Sequence, residues 1–144
     1  MNRLQAIGAV TGFVAGLALL TSGTTDNNGK AGRTGAPGEE TCVDGCHNTY
    51  ALNSGSGSVA LGSTNMVGWQ YVPGTTYHMT LTVSLSTSNL FGLGVECLTS
   101  AGTNAGNLVI TNSTQTTTKN ATIGGNSRRN VVHKQNGGAA SGSK

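Results

Sequence analysis

Residues 77–85 read Tyr77, His78, Met79, Thr80, Leu81, Thr82, Val83, Ser84, Leu85. Apolar side chains fall at 77, 79, 81, 83 and 85, with polar ones between them. Successive side chains of an extended chain point to opposite sides, so a strict period of two predicts a strand with one face buried. Pro73 and Gly74, just upstream, are turn residues. A second alternation follows through Ser88 and Asn89: Phe91, Leu93, Val95 and Cys97 against Gly92, Gly94, Glu96 and Leu98. Together they predict a core in which Tyr77, Met79, Leu81, Val83 and Leu85 pack against Phe91, Leu93, Val95 and Cys97. Cys97 is then a buried free thiol.

Working outward, shorter strand candidates occupy residues 58–61, 108–111, 116–122 and 130–134, separated by turn signals. Several short strands at such spacing predict an all-β fold, an antiparallel β-sandwich over residues 57–144. Composition agrees. There are 23 glycines, 35% hydrophobic and 9% charged residues, which is poor in helix formers and rich in turn and strand formers. Residues 136–144 are a Gly/Ala/Ser-rich tail, and no internal repeat is present.

The N-terminus has a different character. Arg3 is followed by an uncharged, mostly small or apolar run from Leu4 to Leu20, then Thr21, Ser22 and Gly23. A charged start, an apolar stretch and small residues at a cleavage point form a secretory signal peptide, assigned to residues 1–23. The competing reading, a membrane-spanning helix, needs ~20 apolar residues, and Gly8, Thr11, Gly12 and Gly16 break this run. No cysteine follows Leu20 to carry a lipid anchor. The expectation is a secreted or cell-surface protein with no membrane span after cleavage. Residues 24–40 are polar and aperiodic, a flexible leader.

Charge excludes several functions. The net charge of +3 loses one unit when Arg3 is removed. Arg128 and Arg129 are the only adjacent basic pair and read as solvated, so nucleic-acid binding lacks its basic stripe. Asp26, Glu39, Glu40 and Asp44 precede the first strand, and Glu96 is the only later acid. Glu39, Glu40 and Asp44 read as a solvated acidic turn. Catalysis by paired carboxylates or by an Asp-oriented histidine has almost nothing to recruit, and the chain does not read as an enzyme.

The chemistry sits in residues 41–56, a Cys/His loop opening with Cys42, Val43, Asp44, Gly45, Cys46 and His47. Two thiols followed directly by a histidine suit covalent haem, the thiols bonding the vinyl groups and the imidazole the iron. The usual spacer is two residues and here it is three, which Gly45 can accommodate as a bulge. Two other readings use the same residues. Cys42 and Cys46 could close a small disulfide in an oxidising compartment. They could also join a histidine around zinc, for which no fourth ligand is evident locally.

The stretch Thr34, Gly35, Ala36, Pro37, Gly38, Glu39, with Thr41, Cys42, Cys46 and His47, resembles the opening of secreted bacterial proteins with a reelin-like, choice-of-anchor β-sandwich. Tyr71, Val72, Pro73, Gly74 with Tyr77, then Phe91 with Gly92, and the segment from Arg129 to His133, are similar to the same family. The resemblance covers residues 34–144. It implies a reelin-like, immunoglobulin-type sandwich at the cell surface and a covalent c-type haem on Cys42 and Cys46, with His47 as an iron ligand. It further implies His133 as the second axial ligand, ahead of Met66, His78 and Met79; Met66 lies near Trp69 and Tyr71, which could wall a porphyrin. The family spacer has two residues, and its domain continues with further strands. The implied function is electron transfer or haem display, with a redox partner or neighbouring subunits, including self-association by strand addition. The alternative is a structural or adhesive extracellular β domain whose Cys42–Cys46 loop is a disulfide staple or metal site.

Overall fold

The computed structural model describes residues 28–135, 138 and 142–144. The signal peptide and the first leader residues lie outside them. Five strands occur within this range: Ser58–Ser63 (β1), Met79–Ser84 (β2), Gly94–Val95 (β3), Thr116–Ile123 (β4) and Asn126–His133 (β5). The class is all-β, as expected, and every pairing is antiparallel. No helix among the described residues is long and apolar enough to cross a membrane.

β4 and β5 form the longest ladder, with Thr116 opposite His133 and Ile123 opposite Asn126. Gly124 and Gly125 join them at φ 54° and 82°. Positive φ at both central residues marks the turn whose twist matches paired strands, and glycine adopts it without strain. β3 adds to the other side of β5, giving the order β3-β5-β4, while β1 and β2 form a separate pair. Lys144 and Val83 exchange backbone hydrogen bonds of 2.9 Å along the outer edge of β2, and the Gly142 carbonyl accepts from the Leu85 N–H at 2.9 Å.

Burial does not follow the alternation. Among the described residues Val132, on β5, is the one fully buried large apolar side chain. No residue of β1 or β2 is buried, and Val59 (71%), Leu61 and Met79 are exposed. The expected core of residues 77–85 against 91–97 is therefore corrected. The 79–84 strand forms, but its side chains are half-buried or exposed. Cys97, expected inside, is exposed. The second alternation yields only Gly94–Val95, because its backbone is committed elsewhere. The Leu93 N–H meets the His133 ring, and the Cys97 carbonyl accepts from Ala105 at 2.8 Å.

Candidate functional site

The residues read as a flexible leader are tied to β5 from position 28 onward. The Gly29 N–H donates to the His133 carbonyl (2.8 Å), and the Gly32 N–H to Asn130 Oδ1 (2.7 Å). Ala36, Pro37, Gly38 and Glu39 form a turn, with Gly38 at φ 84° and the Glu39 N–H returning to the Ala36 carbonyl at 2.8 Å. Proline second and glycine third is the residue order of a type II turn. It drops Glu39 into a buried polar cluster.

Arg128 organises that cluster. Its Nε donates to the Gly102 carbonyl and its Nη1 to the Pro37 carbonyl, each at 2.9 Å. Glu96 and Glu39 face Nη1 at 3.8 and 4.0 Å. Asn130, fully buried, donates to Glu96 Oε2 at 3.1 Å, and the Thr34 hydroxyl lies 2.7 Å from Glu39 Oε2 and 3.1 Å from Glu96 Oε1. Glu39 Oε1 is buried with no hydrogen-bond partner. Sequence reading missed this latch and took both Glu39 and Arg128 as solvated. A charged residue set among polar ones gives no local sign that its partners lie 26 to 91 positions away.

The Cys/His turn hangs from the same strap. Thr41 donates to Asp44 Oδ2 through its N–H (2.6 Å) and hydroxyl (2.7 Å), and the His47 N–H donates to the Cys42 carbonyl at 3.0 Å. The Thr41 hydrogen bonds hold the Asp44 carboxyl below its ordinary value of 3.8, with Arg33 adding a smaller pull. Arg33 pairs with Glu40 and donates to the Asp44 carbonyl at 2.8 Å, while Cys42 Sγ lies 3.7 Å from the Arg33 carbonyl. Cys42, Cys46 and His47 are exposed, and both thiols are free. Gly45 sits at φ 79° with open space beside it, so the additional spacer residue is taken up in a left-handed conformation. Among the described residues no three His, Cys, Asp or Glu side chains are grouped to hold a metal ion.

His133 has a different setting. It ends β5, half-buried, with Nδ1 3.1 Å from the Leu93 nitrogen and 3.2 Å from the Leu93 carbonyl oxygen. A Cβ added at Gly29 or Gly92 would stand 2.8 or 3.1 Å from the imidazole. The ring thus occupies a slot that only glycines leave open. His78 and Met79 are exposed.

The 66–74 connection is also ordered. Val67–Trp69 is a short 3-10 turn with Gly68 and Trp69 both left-handed, at φ 62° and 59°. For tryptophan that conformation costs about 1–3 kcal/mol. The Tyr77 hydroxyl accepts the Val72 N–H at 2.6 Å, and the Asn65 side chain bridges the Thr76 carbonyl (3.0 Å) and the His78 N–H (2.9 Å).

No family model, curated protein or solved structure matches this chain.

Proposed function

We propose that this chain is an exported haem-carrying β protein in which Cys42 and Cys46 hold a c-type haem covalently and His47 supplies an axial nitrogen. One observation carries the reading: two free, exposed thiols and an exposed imidazole share a single hydrogen-bonded turn. The donor set suits the group. Zinc requires its ligands to converge on one point, and these do not. A c-type haem places its thioethers at the porphyrin edge and only the imidazole at the centre, so convergence is not needed.

Covalent attachment also suits a turn whose two cysteines and histidine are all exposed. A cavity of ≈ 100 Å³ lined by Cys97, Asn104, Leu108 and Arg129 is far below the ~300 Å³ at which ligand pockets begin. A large planar group would lie on the surface and depend on bonds rather than enclosure. When bound, it supplies reversible one-electron chemistry toward a redox partner. The chain's own contribution is positional: Thr41 and Asp44 close the turn, and Arg33 ties it to the strap. His133 is left out of the proposal: Leu93 holds its Nδ1 and leaves Nε2 free, but no hydrogen bond or ion pair among the described residues links the ring to the Cys42–His47 turn.

Expression with a cytochrome c maturation system tests this. The proposal expects absorbance bands that survive acid–acetone extraction and vanish in Cys42→Ala/Cys46→Ala. Colour lost on extraction removes the thioether claim. Colourless protein with Cys42 and Cys46 resistant to alkylation until reduced supports the disulfide-stapled adhesive domain instead.

A further inference from the structure

From Gly45 to Val95 the chain contains no Asp, Glu, Lys or Arg, so β1, β2 and the 66–74 connection carry no formal charge. Within that neutral region Trp69 is 57% and Tyr71 74% exposed, flanked by exposed Val67 and Val72. Large apolar side chains usually reach solvent on mobile loops. This connection is braced where the Val72 N–H donates to the Tyr77 hydroxyl and Asn65 bridges Thr76 and His78, and Trp69 keeps a strained left-handed backbone with little burial to compensate. Strain retained without burial marks a conformation kept for a ligand.

We infer that the braced loop bearing Trp69 and Tyr71 is a docking surface for a neutral polysaccharide. The faces of sugar rings present C–H groups that stack on aromatic rings, while their edge hydroxyls need uncharged donors and acceptors. Gln70 and Thr75, exposed in the same connection, can provide them. Charge complementarity selects against other occupants. A nucleic acid or an acidic polymer finds no cation here, and an anionic membrane finds no basic anchor. A second copy of the chain would bury Val67 and Val72 as well, and a protein-concentration series separates that case. The inference is independent of the Cys42–His47 turn.

Trp69 is the only tryptophan in the chain, so intrinsic fluorescence reports on this surface directly. The folded protein is titrated with cellohexaose, chitohexaose and laminarihexaose, and its retention on insoluble cellulose and chitin is measured. At least one should give a saturable blue shift that is unchanged between low and high salt. Tyr71→Ala should weaken that binding at least about tenfold. Trp69→Gly, which relieves the left-handed strain and so keeps the fold, should abolish retention. Silence toward every one of these glycans overturns the inference, as does binding that weakens with salt. A blue shift produced by raising protein concentration alone assigns the surface to a second copy. One produced by phosphatidylcholine vesicles assigns it to a bilayer. Either result also contradicts the inference.

Discussion

The strap with β4 and β5, and the β1–β2 pair with its connecting loop, are built by opposite means. In the first, a guanidinium, two carboxylates and a carboxamide are buried together, and Val132 is the one fully buried large apolar side chain among the described residues. In the second there is no charge, the alternation is at its clearest, and the apolar face is half-buried at Leu81 and Val83 and exposed at Val59, Leu61 and Met79. Alternation sets which side of a strand is apolar. Burial needs a second layer, and a chain with 23 glycines and few large side chains supplies that layer only once. The interior here is specified by polar geometry.

The sharpest way to break the contrast is Arg128→Ala. It leaves Glu39 and Glu96 buried without their cation, and such losses cost about 3–5 kcal/mol. In a small domain that is enough to lower the urea midpoint drastically or prevent folding. Arg128→Lys should not restore stability, because one ammonium cannot reach both the Pro37 and Gly102 carbonyls in the guanidinium's geometry. Wild-type stability in either variant would reduce the latch to an ornament.

His133→Ala comes next. Losing the ring contacts to Leu93 and opening a gap between Gly29 and Gly92 should cost about 1–2 kcal/mol by denaturant titration. The absorbance of haem-loaded protein should not change. A shift from low-spin to high-spin bands would instead make His133 an iron ligand, as the family resemblance implies. Val59→Ala, on the open face of β1, should change stability by less than about 0.5 kcal/mol. A larger loss would mean that something covers that face.

The smallest effect concerns acid. The Asp44 carboxyl is held lower in the folded chain than its ordinary 3.8. Its contribution to the turn is therefore present above that value and fades as pH falls through the lower folded one. The amide chemical shift of Thr41, which donates to the Asp44 carboxylate, should move as pH falls below that value. In Asp44→Asn that late movement should be absent.

Much of this was legible in the sequence, and the remainder was hidden for definite reasons. The all-β class and the 79–84 strand follow from alternation and composition, and residues 41–56 read as a loop. The β4–β5 hairpin was present only as two short runs, because Thr116–Ile123 is nearly all polar and Arg128 and Asn130 interrupt any apolar pattern in Asn126–His133. The inward face of β5 sets Arg128 and Asn130 in line with Val132, so no hydrophobic period could reveal it. The strap looked mobile because it lacks periodicity. It is fixed by single long-range hydrogen bonds, Gly32 to Asn130 among them, which leave no local trace.

Native-state amide hydrogen exchange tests the two-region account most directly, since protection ranks local opening free energies residue by residue. The account predicts the slowest exchange at the β4–β5 ladder, with the strap amides of Gly29 and Gly32 protected alongside it. The β1–β2 amides should exchange markedly faster. Slow exchange centred on Leu81 and Val83, with Gly29 and Gly32 exchanging at unprotected rates, would contradict it.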